Sequence, residues 1–133
     1  MTSSNTHYDQ GLALRHAMFG AEFTDRQIAD ASDFVRPIQD LVTQQCFGEV
    51  WTRPGLDRRT RSLLTIAMLI GLGRSHELRT HVKGAISNGV SPEELGEVMR
   101  HAAVYCGVPA AVDATYNADA ALREIGAAAE AAR

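Results

Sequence analysis

The stretch SPEELGEVMRHAAVYCG, residues 91–107, decides the fold class of this chain, because it carries a complete helix signature. Ser91 is a typical N-cap, Pro92 suits the first helical position, and Glu94 completes a capping box. Apolar residues then recur at helical spacing until Gly107, and this spacing predicts one buried face. That face consists of Leu95, Val98, Met99, Ala102 and Cys106. The stretch therefore predicts an amphipathic helix packed on a core.

The segments on either side have the same period, and none shows sustained strand alternation. Helices are predicted over residues 9–19, 73–89 and 109–126, and another begins after Asp57 as N-cap and has residues 62–73 as its apolar body. Pro37 suits the first turn of one more helix, since a missing N–H does no harm there. Its predicted buried face is Phe34, Ile38, Leu41, Val42 and Cys46. We therefore expect one all-α domain over residues 1–133, a compact bundle of about five or six short helices with flexible ends at 1–8 and 127–133.

Composition excludes several classes of protein. The chain has 133 residues, 45% hydrophobic and 22% charged, which is enough for a globular core. Its net charge of −3 does not favour nucleic acid or anionic membranes as partners. The apolar run 63–72 is too short to cross a bilayer. Cys46 and Cys106 form no CxxC or metal-type spacing, so we expect two small buried hydrophobes in a reducing cytoplasm.

The body of the helix that follows Asp57, residues 62–73, is apolar on most sides, which is typical of a central, buried helix. Short helices rich in alanine bury limited area within one chain. Part of this apolar surface could therefore need a neighbouring subunit, and we expect a homo-oligomer with helix-on-helix contacts.

The helix over 73–89 carries the first chemical constellation. Glu77 and His81 are four residues apart and share a helical face, with Arg74 one turn earlier. A carboxylate beside an imidazole sets its tautomer and raises its basicity, as a proton-transferring histidine requires. The alternative is an exposed pair that contributes only a few tenths of a kcal/mol to stability. Spacing alone does not decide between them.

Arginines form the second constellation, in the stretch TRPGLDRRTR, residues 52–61. Arg53 lies in a predicted loop, and Arg58, Arg59 and Arg61 lie at the first turn of the next helix, after Asp57 as N-cap. Cations are unfavourable at that end of a helix, so something negative should offset them. A bound dicarboxylate would do so, and so would pairing with Asp57, Glu49 or acids of a partner subunit.

Three more polar or aromatic residues carry weaker signals. Trp51, in the loop before Arg53, could line a pocket or anchor a subunit. His101 and Tyr105 share a helix whose apolar stripe indicates a core, so a structural role is favoured for them. No spacing suggests a metal site, a phosphate loop or a hydrolase nucleophile.

These residues lie within a wider resemblance over about residues 8–124. The segments YDQGLALRHAMFG (8–20), GEVWTRPGLDRRTRSLLTIAMLIGLGR (48–74) and HELRTHVKGAISNGVSPEELGEVMRHAAVYCGVPAA (76–111) are similar to the carboxymuconolactone decarboxylase family. The pattern E-L-x-x-H, followed by NGV and YCGVP, is specific to it in that order. WTRPGL points to its decarboxylase branch.

The same superfamily contains alkylhydroperoxidase-like enzymes with a redox CxxC and a histidine four residues after the second cysteine. Placed on His81, that pattern puts Arg74 and Glu77 at the two cysteine positions, and Ser62 at the position of an upstream acid. This chain keeps the histidine alone. Thiol peroxidase chemistry at that site is therefore a remote alternative.

The resemblance implies an all-helical, alkylhydroperoxidase-like fold that assembles into oligomers, commonly hexamers, and a reaction without cofactor or metal. That reaction is decarboxylation of 4-carboxymuconolactone to 3-oxoadipate enol-lactone in the protocatechuate branch of the β-ketoadipate pathway. His81 and Glu77 would then be catalytic, and the substrate-binding residues would be Arg58, Arg61, Arg74, Arg53 and Trp51. The chain could instead be a decarboxylase or isomerase of a related lactone or keto acid, or a non-catalytic oligomeric protein.

Overall fold

All regular secondary structure in residues 5–132, the part of the chain that this computed structural model describes, is helical. The elements in chain order are α1 (Thr6–Phe19), α2 (Ala21–Ala29), α3 (Arg36–Leu41), a π-helical segment (Val42–Val50), α4 (Arg58–Leu72), α5 (Ser75–Ser87), α6 (Pro92–Tyr105) and α7 (Val108–Ala131). The all-α prediction is confirmed, although these residues form seven α-helices rather than five or six. Residues 1–4 and 133, parts of the two ends expected to be flexible, lie outside the described range.

Local capping explains where the helix boundaries differ from the sequence-based ones. Helix α1 begins at Thr6 rather than near residue 9, because the Asn5 side chain accepts a hydrogen bond from the Tyr8 amide at 3.2 Å. The additional helix arises at Gly20, whose φ of +92° ends α1 and starts α2. At the other end of the chain, α7 continues past residue 126 to Ala131.

The described residues divide into two compact units, the first ending at Asp57 and the second beginning at Arg58. In the first unit, α1 packs closely on the π-helical segment, and two glycines permit this approach. A Cβ on Gly11 would lie 1.8 Å from the Thr43 carbonyl oxygen, and one on Gly48 would lie 2.0 Å from that of His7. The core of this unit consists of Leu14, Met18, Phe47 and Trp51.

The prediction of a buried face over residues 34–46 is largely wrong. Phe34, Ile38 and Leu41 are 93%, 59% and 47% exposed within this chain. The π-helical segment has a longer hydrogen-bond period than an α-helix, as in the Trp51 amide donating to the Cys46 carbonyl at 2.9 Å. That longer turn redirects the buried stripe, which consists of Thr43, Phe47 and Gly48.

A buried arginine connects the helices of the first unit. Arg15 is 4% exposed, and its guanidinium donates to Gln39 at 3.0 Å, to Thr43 at 2.8 Å and to Gln27 at 2.7 Å. Thr24 lies inside α2 and its hydroxyl donates to the Arg15 carbonyl at 3.4 Å. Thr24 and Gln27 are three residues apart, a spacing that predicts a capping pair at the start of a helix. That prediction is wrong, because α2 begins at Ala21 and both side chains form hydrogen bonds with Arg15.

We expect Arg15→Lys to lower the free energy of unfolding by about 2–3 kcal/mol, since one ammonium cannot reach acceptors on three elements. Urea unfolding followed by fluorescence of the single tryptophan, Trp51 in the same unit, measures this change. The matched control is Arg26→Lys, at an exposed ion pair with Glu22, which should change stability by less than about 0.5 kcal/mol. Equal losses for the two variants would contradict a structural role of the Arg15 network.

In the second unit, α7 packs on α5 and α6, and α4 packs on α5. Its core combines Val90, from the connection between α5 and α6, with residues of all four helices: Ile66, Ile70, Leu78, Val82, Ala85, Leu95, Met99, Ala102, Ala114, Ala118 and Ala121. The predicted capping box of α6 is confirmed, with the Glu94 amide donating to the Ser91 hydroxyl at 3.1 Å and the Ser91 amide donating to the Glu94 carboxylate at 3.0 Å. None of the described helices is both long and apolar enough to cross a bilayer.

Helix α4 is only partly buried, contrary to the prediction of a central helix. Its buried residues are Ser62, Ile66 and Ile70. Its opposite side exposes three large apolar residues within this chain: Leu64 (42%), Met68 (63%) and Leu72 (70%). A contiguous stripe of this kind is typical of an interaction surface.

Candidate active site

Helix α5 places Glu77 and His81 one turn apart, as the sequence predicts. Glu77 is exposed, whereas His81 is partly buried and its Nδ1 atom is inaccessible to solvent. Burial lowers the pKa of His81 to about 4, and the nearby negative charge of Glu77 opposes that shift. The imidazole is therefore neutral at physiological pH.

Helix α5 is docked on its neighbours through both apolar and polar contacts. Its buried face consists of Leu78, Val82, Gly84 and Ala85. Three of its polar side chains pair with α7: Ser75 with Asp113 at 2.5 Å, Arg79 with Asn117 at 2.7 Å and Lys83 with Glu124 at 2.6 Å. These contacts hold the backbone that carries Glu77 and His81 in one position.

Arg74 occupies the N-cap position of α5 and is exposed, one turn before Glu77. Its amide donates to the Leu69 carbonyl at 3.0 Å, and its own carbonyl accepts from the Leu78 amide at 2.9 Å. The backbone contacts connect the end of α4 to the start of α5. The structure thus places Arg74 beside the turn that joins α4 and α5, with Glu77 and His81 following about one and two turns later along α5.

The arginines of α4 lie at the other end of that pair. Helix α4 begins at Arg58, directly after Asp57, with Arg58 exposed and Arg61 partly buried. Arg59 forms an ion pair with Glu94, an acid that the sequence did not single out as its partner. Arg58 and Arg61 thus lie in the first turn of α4, as the sequence predicts, and their contact with a substrate stays a prediction.

The structure pairs a buried serine with a partly buried asparagine, and the sequence reasoning gave neither side chain a role in the site. Ser62 on α4 is 1% exposed, and its hydroxyl accepts a hydrogen bond from the Asn88 side chain at 2.9 Å. Asn88 ends α5, two turns after His81 on the same face. Only a weak signal in the sequence marks this pair, because Asn88 next to Gly89 suggests nothing more than a turn.

The two predicted site residues of the loop belong to the first unit. Trp51 is 7% exposed and packs on Phe47, with ring centroids 5.7 Å apart, so it forms part of the hydrophobic core of that unit. Arg53 is exposed, and its amide donates to the Val50 carbonyl at 3.1 Å. Their predicted contact with a substrate stays a prediction.

An open groove of about 620 Å³ lies between α4 and α6 in the second unit. Its lining is mostly apolar: Leu63, Ala67, Glu94, Glu97, Val98, His101, Ala102, Tyr105 and Cys106. None of the predicted site residues of α4 or α5 lines it. The groove therefore marks a second feature of this unit rather than the candidate active site.

Three residues of this groove differ from the sequence-based expectation. His101 and Tyr105 stack with ring centroids 4.7 Å apart, and Tyr105 is 77% exposed rather than part of the core. Cys106 is also exposed, because it lies at the C-cap of α6 where the buried stripe has ended.

Cys46 is partly buried, and burial raises the pKa of its thiol. Among the described residues, no group of three or more His, Cys, Asp or Glu could hold a metal ion.

Comparison with known proteins connects this geometry to decarboxylases. The sequence profile described as "Carboxymuconolactone decarboxylase family" matches residues 36–130. A 4-carboxymuconolactone decarboxylase of Acinetobacter baylyi is 41% identical over 123 residues, 92% of this chain and 92% of that protein. A nitrosuccinic acid decarboxylase of Metarhizium robertsii is 45% identical over 107 residues, 80% of this chain and 75% of that protein. Because both relatives are decarboxylases and match most of the chain, they support the assignment of carboxy-lyase activity to it.

Proposed function

Because the chain belongs to the carboxymuconolactone decarboxylase family, we propose that it converts 4-carboxymuconolactone to 3-oxoadipate enol-lactone and carbon dioxide. The observation that carries this proposal is the 41% identity to a decarboxylase of that lactone over 92% of both chains. The reaction would serve the protocatechuate branch of the β-ketoadipate pathway. We also propose a cytoplasmic location and a homo-oligomer, a trimer or hexamer, which the exposed apolar stripe of α4 supports.

The proposed substrate supplies its own electron sink. Its ring carbon carries the departing carboxylate and an acetate arm, and the ring C=C is conjugated to the lactone carbonyl. When the bond to the carboxylate breaks, its electron pair moves through the alkene onto the carbonyl oxygen. Protonation of the resulting dienolate at the carbon next to the carbonyl gives the enol-lactone. The protein must then stabilise an oxyanion and deliver one proton.

His81 suits the first of these tasks. A neutral imidazole keeps one N–H, which can donate a hydrogen bond to the oxygen where negative charge develops. The pKa of about 4 supports this role over that of an imidazolium acid, since little imidazolium exists at neutral pH. Glu77, one turn earlier, would orient the ring, and it is the other candidate for the group that delivers the proton to carbon.

The arginines suit the carboxylates of the substrate. We assign the acetate arm to Arg58 or Arg61, with Arg53 as a lesser candidate, because guanidinium groups bind carboxylates through two parallel hydrogen bonds. Arg74 would share the binding of a carboxylate or of the oxyanion, and Trp51 would supply an apolar wall. When arginines bind the acetate carboxylate, the other carboxylate is held in a place with little water around it. Poor solvation of that carboxylate favours its loss as carbon dioxide.

The pH dependence of kcat/KM distinguishes the two roles of His81. A pKa of about 4 makes the neutral ring the dominant form above that pH. If the neutral ring acts, kcat/KM should rise between about pH 3 and 5 and should not fall as the pH increases from 5 to 7. A tenfold fall for each pH unit above 4 would instead show that the reaction needs a protonated acid, and would contradict the neutral ring as the acting form. Initial rates of carbon dioxide release in overlapping buffers give this profile.

Nitrosuccinate is a second candidate substrate, which the 45% identity to a nitrosuccinic acid decarboxylase favours. Both compounds are substituted succinates, in which one carbon carries the departing carboxylate and its neighbour carries the second carboxylate. The nitro group replaces the conjugated carbonyl as electron sink. One arginine clamp and one oxyanion donor could therefore serve either reaction.

Turnover of the two substrates tests the proposal. Carbon dioxide release is measured from 4-carboxymuconolactone and from nitrosuccinate at matched concentrations. We expect a kcat/KM at least tenfold higher for the lactone, with the enol-lactone as its product. A preference for nitrosuccinate would move the assignment to the second candidate. Peroxide consumption with a thiol donor, or a protein that releases no carbon dioxide from either compound, would contradict both.

A further inference from the structure

Helices α4 and α5 form an antiparallel pair, so the distance of each residue from the turn between them can be compared along the two helix axes. They are joined by a tight turn at Gly73, where the Arg74 amide donates to the Leu69 carbonyl. At the far end, Ser62 near the start of α4 accepts a hydrogen bond from Asn88 at the end of α5. The two helices are therefore paired from the turn to that end.

The arginines of α4 and the imidazole of His81 lie at different distances from the turn that joins the two helices. His81 lies six residues after Ser75, about 9 Å along α5 from the turn at 1.5 Å per residue. Arg58 lies fourteen residues before Leu72, about 21 Å along α4 from the same turn. By the same count, Arg61 lies about 16 Å from it. Arg58 is thus about 12 Å, and Arg61 about 7 Å, farther from the turn than His81.

The direction of helical side chains increases this separation. Side chains on an α-helix lean toward its N-terminus. The N-terminus of α4 points away from the turn and that of α5 points toward it, so arginine and imidazole lean apart. In a substituted succinate the two carboxylate carbons are three bonds apart, roughly 4 Å. Arg58 and His81 of one chain are therefore badly placed to bind one such molecule together.

The exposed apolar stripe of α4 begins one turn after Arg61. Leu64, Met68 and Leu72 follow one another at intervals of four residues, the ridge by which helices pack on each other. A molecule that covers this ridge would also come close to Arg58 and Arg61. The exposed carboxylate of Glu77 beside His81 is complementary in charge to that pair of arginines. A second copy of the chain supplies both an apolar helix surface and that carboxylate.

We propose that the active site is completed between two copies of the chain, with Arg58 and Arg61 of one copy binding the substrate at Glu77 and His81 of the other. The α4 ridge is the surface that holds the copies together. This inference rests on the proposed function, because it places the binding and catalytic residues of that reaction in different subunits.

Complementation between inactive variants tests the shared site. Arg58→Met/Arg61→Met and His81→Leu chains with different affinity tags are co-expressed, and mixed oligomers are isolated by two successive affinity steps. Each variant alone should retain less than about 1% of the parent kcat/KM for the lactone, whereas mixed oligomers, which contain intact sites, should recover at least 10%. The matched control is a mixed oligomer of Arg58→Met and Arg61→Met chains, whose substitutions affect the same half of each site. It should be no more active than its two components.

Mixed oligomers that are no more active than their components would overturn the shared site, and so would an arginine variant as active as the parent. The molecular mass in solution gives a second readout that needs no turnover. Met68→Glu should dissociate the assembly, whereas Phe23→Glu, at an exposed apolar residue of the first unit, should not. A parent protein that turns over neither substrate would end the proposed function, and a monomeric parent would end the shared site.

Discussion

His81→Leu is expected to reduce kcat for decarboxylation of 4-carboxymuconolactone by about 10²–10³, the usual effect of removing one oxyanion donor. Leucine matches the volume of the imidazole and tolerates burial, so the loss should fall on catalysis rather than on folding. The physical reason is that the dienolate oxygen loses its hydrogen bond at the point where negative charge is greatest. Single-turnover measurements with excess enzyme isolate this step from product release.

The matched control for this variant lies on the same helix. His76→Leu changes an exposed histidine five residues earlier and should leave kcat within about twofold of the parent. Circular dichroism of both variants reports whether α5 is intact. Comparable rates for His81→Leu and the parent, with both proteins folded, would remove His81 from the reaction.

Arg58→Met is expected to raise KM for the lactone by about 10–100-fold, because a charge-assisted hydrogen bond contributes about 1.5–3 kcal/mol. The same variant should bind an analogue without the acetate carboxylate about as well as the parent does. The comparison of the two compounds separates the loss of one ion pair from a general change in the site.

Arg100→Met is a control for the arginine prediction, since Arg100 is exposed on α6 in an ion pair with Glu97. It should leave KM for both compounds unchanged. If Arg58→Met weakens binding of the lactone and of the analogue equally, the acetate arm does not contact Arg58, and the assignment passes to Arg61 or Arg74.

Local sequence signals predicted the helices well where all of them agreed. At α6, the capping residues Ser91 and Glu94, the proline at the first position and the apolar period point to one structure, and the structure contains it. The i, i+4 spacing of Glu77 and His81 likewise required only that α5 be helical. Both predictions depend on interactions within a single helix.

Features that depend on contacts between helices were not readable from the sequence. Phe34 lies in the turn before α3 and is 93% exposed, whereas the apolar pattern treats residues 34–46 as one continuous helix face. The pairs Arg59–Glu94 and Ser62–Asn88 join residues far apart in the chain. The low pKa of His81 results from burial, which spacing does not reveal. Spacing and motifs thus identified the candidate residues of the site, and the packing of α4 on α5 determines which of them can act together.

Carbon dioxide release from 4-carboxymuconolactone by the purified parent protein, in buffer treated to remove metal ions, tests the central claim most directly. The proposed mechanism needs only a neutral imidazole and arginines that bind the carboxylates, because the substrate supplies its own electron sink. It predicts one carbon dioxide and one 3-oxoadipate enol-lactone for each lactone consumed, and a turnover rate at least a hundredfold lower for His81→Leu. A folded parent that leaves the lactone intact would contradict it.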